Sequence, residues 1–265
     1  GFLYLLILSR PRFWLYLAGP VVVGVAAAAT TVPDLFLPVG FALFGYFLLP
    51  ANILLYGVND IFDADIDTEN PKKTEREARW QGGPVVIASV VASGLLAVPL
   101  FAITGSVAWP WIAGFLLLAV GYSAPPARFK TTPPLDSLSN GLYILPGIAA
   151  YAAVAGTQPP AMAVVGAWLW TMGMHTFSAI PDIDPDRRAG IRTTETWLGK
   201  RRTYGDVAAC WLAAAVALGF VDLRLGGLMA VCPVFVARVS TSRGAVERAY
   251  CCRIIISPAP RQAAA

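Results

Sequence analysis

The sequence predicts an all-α protein, a polytopic bundle of transmembrane helices. Of its 265 residues, 57% are apolar and 14% are charged, where a soluble domain carries about 25% charged residues. Apolar runs recur along almost the whole chain, and mean hydropathy is +0.62, as a set of spanning helices requires. The residue-by-residue alternation of a transmembrane β-barrel is missing from those runs.

Eight apolar runs read as helices, near 13–30, 37–58, 85–104, 107–123, 138–156, 161–180, 204–221 and 225–238. At about 1.5 Å per residue, some twenty residues cross a hydrocarbon core of about 30 Å. The loops after the second, fourth and sixth runs are long and basic. They hold Lys72, Lys73, Arg76 and Arg79; then Arg128 and Lys130; then Arg187, Arg188, Arg192, Lys200, Arg201 and Arg202. Arg10 and Arg12 precede the first run on the same side, whereas the opposite loops hold one basic residue, Arg224. The positive-inside rule therefore predicts a multi-pass protein of the cell membrane, with the long loops and the N-terminal segment in the cytoplasm.

Residues 1–238 form one transmembrane domain in this reading. Residues 239–265 contain no apolar run long enough to span, and Arg243, Arg248, Arg253 and Arg261 are spread through them. They read as a cytoplasmic or disordered tail, or as an altered C-terminus. The net charge of +4 is not gathered into a basic, aromatic-interleaved stripe, which argues against nucleic acid as a partner. Cys210, Cys232, Cys251 and Cys252 lack zinc-type spacing, and His175 is the one histidine, so zinc is not expected either.

The chemistry is expected where the second run enters the cytoplasm. Asn59, Asp60, Asp63 and Asp67 follow N-D-x-x-D-x-x-x-D, and on a continued helix these spacings put the three aspartates on one face. Like charges on one stripe repel unless a cation neutralises them. Mg²⁺ prefers carboxylates and binds together with substrate phosphates. A second pair, Asp182 and Asp186, follows the sixth run on the same side, four apart and so on one helical face; Pro185 between them is expected to disturb a regular helix. Two such carboxylate sets can hold more than one Mg²⁺ around a diphosphate. Lys72, Lys73, Arg128 and Lys130 are candidates to bind diphosphate oxygens. Arg187, Arg188, Lys200, Arg201 and Arg202 read as topology charges. His175 is either a proton acceptor or a satisfied buried histidine.

With these residues the chain resembles the UbiA superfamily of intramembrane prenyltransferases. The matching words are N-D-x-x-D-x-x-x-D at Asn59 to Asp67, Y-S-x-P-P-x-R-x-K at Tyr122 to Lys130 and D-x-x-x-D at Asp182 to Asp186. The resemblance implies a bundle of usually nine spans, of which the ninth is not evident here. It also implies aspartates holding Mg²⁺ over a central cavity, and adds Tyr122 to the substrate-binding candidates. The words at Ser9 to Pro20, Leu55 to Asp67, Leu135 to Gly147 and His175 to Thr194 are similar to the lycopene elongase branch. That similarity implies transfer of a dimethylallyl unit from its diphosphate to a terminal end of lycopene, sometimes with hydration.

The residues themselves leave other readings open: prenylation of a quinone precursor, a phenol or a lipid headgroup, or a cation-coupled transporter. Against the transporter, the carboxylates lie at helix ends on one side and no internal repeat is evident. For an enzyme, Phe62, Tyr122, Tyr143, Trp170 and Phe177 are candidates to stabilise a carbocation through their ring faces. Ordinary packing is the competing role for each. Apart from the aspartates, the sequence shows no strongly placed base for an aromatic acceptor.

Overall fold

The computed structural model describes residues 2–62 and 83–241, and among them all regular structure is helical. Asp63, Asp67, Lys72 and Lys73 lie outside the described residues, as do the tail from 242 and any ninth span.

Helix occupies every predicted run, though several runs are built in pieces. The first holds α2 (Trp14–Ala28), preceded by α1 (Phe2–Leu8), and the second holds α3 (Pro38–Leu48) and α4 (Pro50–Phe62). Next come α5 (Pro84–Leu95) with α6 (Val98–Ile103), and then α7 (Trp109–Gly121). The fifth run is α8 (Leu135–Leu138), a 3-10 turn at Ser139–Tyr143 and α9 (Leu145–Ala155). The sixth is α10 (Ala161–Ala179), followed by a 3-10 turn at Ile180–Asp182 and the short helices α11 (Ile183–Arg188) and α12 (Thr194–Leu198). The last runs are α13 (Lys200–Gly219), then α14 (Leu223–Met229) and α15 (Val231–Thr241).

Four stretches of the described residues are long and apolar enough to cross a membrane: Pro11–Ala28, Val32–Phe62, Pro84–Ile103 and Leu223–Ser240. Leu135–Tyr143 and Leu145–Ala155 make a further pair, bent by 40°. The second span is interrupted because Pro50 carries no N–H for the preceding turn. The side-chain amide of Asn52, fully buried, donates instead to the Phe47 and Leu48 carbonyls at 2.9 and 3.0 Å. A polar residue inside an apolar run thereby repairs the break that the proline makes.

The helices pack into two apolar cores. The larger joins α2, α3, α4, α7 and α9 through Leu17, Val21, Leu43, Phe47, Ile112, Phe115 and Leu145. The smaller joins α10, α13 and α15 through Phe177, Val207, Trp211 and Val236. Large apolar side chains also cover the outside: Val23, Leu117, Phe220 and Leu223 are all well exposed. Water would not tolerate such a surface over the whole molecule, but lipid does. The chain is a multi-pass membrane protein.

Contact between α2 and α9 depends on two glycines. A β-carbon on Gly24 would lie 2.0 Å from the Gly147 carbonyl oxygen, and one on Gly147 would lie 2.7 Å from the Pro20 oxygen. Small residues let helix backbones meet this closely. Gly24→Ala or Gly147→Ala is expected to destabilise the detergent-solubilised protein by about 1–3 kcal/mol, the usual cost of overpacking. Gly45→Ala, with open space at that position, should leave the thermal midpoint nearly unchanged.

Candidate active site

The charged segments meet at one end of the bundle. Asn59 and Asp60 occupy the last turn of α4. Asp60 is 3% exposed and paired with Arg10, whose Nη2 lies 3.0 Å from Oδ1. Arg10 sits in the left-handed region at φ 51°, costly for a residue with a β-carbon, and its guanidinium also lies 4.6 Å from the centre of the Tyr56 ring. Asn59 donates to the Ser123 hydroxyl at 3.0 Å, and Arg128 reaches the Phe62 carbonyl at 3.4 Å. These contacts draw the N-terminal segment, the end of the second span and the loop after the fourth to a common end. Tyr122 and Lys130 are half-buried in that loop, which closes with the Lys130 amide donating to the Tyr122 carbonyl at 3.1 Å.

Asp182 and Asp186 flank Ile183, at the junction of the 3-10 turn with α11. Pro185 does not break this helix, because it falls in the first turn, where an N–H has no intrahelical partner. Both aspartates are half-buried while Asp184 is exposed, a burial pattern that goes with their spacing of four. Arg187 is structural: Nε and Nη2 donate to the Thr196 carbonyl at 3.0 and 2.7 Å, joining α11 to α12. Arg188, Arg192, Lys200, Arg201 and Arg202 are exposed, consistent with topology charges. Asn59, Asp60, Asp182 and Asp186 offer oxygen donors alone, a set that fits Mg²⁺ rather than a softer metal.

Between the two cores, α2, α9 and α10 enclose a cavity of about 710 Å³. Pro20, Val23, Ile148, Ala163 and Val164 make most of its wall apolar, and Tyr143 and Trp170 contribute aromatic side chains. Leu15 and Val23, lining residues 66% and 69% exposed, place its opening toward the lipid. Asn140, His175 and Ser178 line it as polar groups, and Asp182 follows Ser178 by one helical turn. Of the other aromatic candidates, Phe177 is buried against Trp211 and Phe235, and Phe62 is exposed.

The sequence reading missed a polar cluster beside this cavity. Oxygen and nitrogen atoms of Asp136, His175 and Glu195 lie within 4.8 Å of one another. Asp136, 1% exposed, accepts bonds from the Thr194 amide at 2.7 Å and the Thr194 hydroxyl at 2.5 Å. Glu195 is also 1% exposed, and among the described residues neither carboxylate oxygen has a hydrogen-bond partner. Burial pushes its carboxyl up to about 7; its own backbone amide and the Thr193 side chain offset part of the rise, and the charge of Asp136 adds to it. Asp136 and Glu195 are 59 positions apart in sequence, and neither belongs to a repeated acidic motif that would mark it.

Two consequences are measurable. Arg10→Ala leaves Asp60 buried without this partner and is expected to cost about 3–5 kcal/mol of stability, read as a lower thermal midpoint. Glu195 titrates higher in the fold than its ordinary value of 4.5, so its contribution is full below that pH and is lost as pH rises through 7. The loss amounts to about 3 kcal/mol at most. Between pH 5 and 8 the wild type should therefore lose more thermal stability than Glu195→Gln, which removes the titration.

Residues 17–246 match the model of the UbiA prenyltransferase family. The chain is 68% identical over 247 residues to a lycopene elongase/hydratase of Haloferax volcanii, covering 93% of this chain and 82% of that protein. It is 57% identical to one of Halobacterium salinarum, covering 94% and 90%. Its fold is similar to that of a UbiA homolog from Archaeoglobus fulgidus bound to DMAPP and Mg²⁺, with a TM-score of 0.71 at 18% identity over 90% of this chain and 87% of that one. A motif order read in the loops, an apolar cavity beneath them and a family match across most of the chain agree: this protein belongs to the UbiA prenyltransferase family.

Proposed function

We propose that this prenyltransferase moves a dimethylallyl group from its diphosphate onto a terminal double bond of lycopene, with hydration of the elongated end. One observation carries the acceptor: an apolar cavity, open toward lipid, whose α10 wall runs directly on to Asp182. A hydrocarbon dissolved in the bilayer can enter such a cavity sideways and bring its end to the carboxylates. A phenolic acceptor would instead need a polar seat along its length. The high identity to lycopene elongase/hydratases supports the same reading.

Asn59, Asp60, Asp63, Asp67, Asp182 and Asp186 would hold Mg²⁺, with Asp60 steadied by its pairing with Arg10. Bound there, Mg²⁺ neutralises diphosphate and makes it a better leaving group. Lys72, Lys73, Tyr122, Arg128 and Lys130 would bind the diphosphate. The apolar walls keep bulk water from the allylic cation, and Tyr143 and Trp170 offer ring faces to it. The site faces the cytoplasm in this reading, because the segments tied together at that end carry the basic residues.

The test is a membrane assay with lycopene, dimethylallyl diphosphate and Mg²⁺, read by chromatography and mass spectrometry. Products heavier by one or two five-carbon units are expected, and EDTA should stop their formation. Asp182→Ala and Asp186→Ala should each lower the rate at least about 100-fold, the scale of losing one strong electrostatic contact to developing charge. Prenylation of a phenol with lycopene untouched would overturn the acceptor; turnover indifferent to EDTA would overturn the metal.

A further inference from the structure

Glu195 poses a physical problem. Its carboxylate is almost wholly buried and, among the described residues, makes no hydrogen bond, an arrangement that costs stability unless something else supplies the partner. The polar atoms of Asp136 and His175 lie within 4.8 Å of its own, which makes the three neighbours around one small space. Glu195 makes no hydrogen bond to either of them, and one small molecule held among the three would give it partners. His175 also lines the apolar cavity, so whatever sits in this space lies at the cavity wall. The two oxygens of Asp136 already accept from Thr194, which fixes that carboxylate as a rigid side of the space.

We propose that Asp136, His175 and Glu195 bind one water molecule at the cavity wall, and that this water is the nucleophile that hydrates the elongated product. The proposal rests on the acceptor reading above. Ionisation breaks the allylic carbon–oxygen bond, and its electron pair leaves with diphosphate. The π pair of the terminal alkene then forms the new carbon–carbon bond, leaving a tertiary cation on the more substituted carbon. A lone pair of the held water forms the carbon–oxygen bond, and its proton passes to a ring nitrogen of His175. The imidazolium so formed faces two carboxylates that stabilise it. One alkene, one allylic diphosphate and one water give one tertiary alcohol, one diphosphate and one proton.

This arrangement accounts for a single water acting in a cavity that otherwise excludes it. Bulk water beside the allylic cation would quench it before the carbon–carbon bond forms. A water pinned by three polar groups attacks only where the second cation develops. The raised Glu195 carboxyl adds a way for the proton to leave at neutral pH. Without the held water, the tertiary cation loses a proton from carbon and ends as an alkene.

The experiment is the lycopene assay in H₂¹⁸O, with products separated into alcohols and alkenes. In wild type, each alcohol should carry one ¹⁸O per added five-carbon unit. Glu195→Gln and His175→Gln should each lower the ratio of alcohol to alkene by about tenfold or more, whatever the total turnover. A loss of overall rate at an unchanged ratio, in whichever variant yields monodisperse protein, would overturn the proposal. So would a stoichiometric metal in the purified wild type that His175→Gln removes. Wild type that elongates lycopene without oxygen from water would overturn the water site and leave the transferase reading intact. Wild type that makes no lycopene product would instead bring down the acceptor reading.

Discussion

The grip of Thr194 on Asp136 is the interaction on which the charged end of the molecule depends. A carboxylate 1% exposed in an apolar bundle must be satisfied by the protein itself, and Thr194 does so with its amide and its hydroxyl. That bond crosses from α8 to α12 and so joins the loops that follow the fourth and sixth spans. Around it, Asn140 donates to the Asp136 carbonyl at 2.6 Å and Ser137 pairs with Thr176 at 2.9 Å. Trp168 reaches the Leu138 carbonyl at 2.9 Å. The helix bend at Ser139–Tyr143 is thereby fastened to α10 and α12, and Glu195 follows Thr194 on the fastened segment.

The two-core packing explains why a cavity survives here. Within each core, ring and branched side chains interlock: Phe47 meets Phe115 edge-on at 5.0 Å, and Trp211 donates to the Trp170 carbonyl at 3.1 Å. Between the cores, small residues stand among the large ones. Gly24 and Gly147 bring α2 and α9 into backbone contact, while Ala163, Val164 and Ala167 on α10 are too short to fill the space opposite. The same residues that make close contact on one side leave room for a hydrocarbon on the other.

A cation-forming reaction imposes opposite demands on its surroundings: charge to release diphosphate, and an apolar wall to protect what remains. The chain separates them along one axis. Arg10, Asn59, Asp60, Arg128, Asp182 and Asp186 lie at the ends of helices and in the loops, while the cavity begins below them in the span of α10. A few polar side chains line that cavity, and His175 among them connects it to the buried carboxylates.

The sequence by itself determined the class of fold, the helical runs and the aspartate words, because hydropathy and i,i+4 spacing are local properties of the chain. It also read Asp182 and Asp186 as a shared face, although it took Pro185 for a disturbance that the first turn of α11 absorbs. Arg10 looked like a topology charge, and its pairing with Asp60 depends on a left-handed turn that no local pattern announced. Tertiary structure alone decided that Asp136, His175 and Glu195 meet. They come from three separate elements, each residue is isolated among neighbours of ordinary character, and only the folding of α8, α10 and α12 against one another gives them a common space.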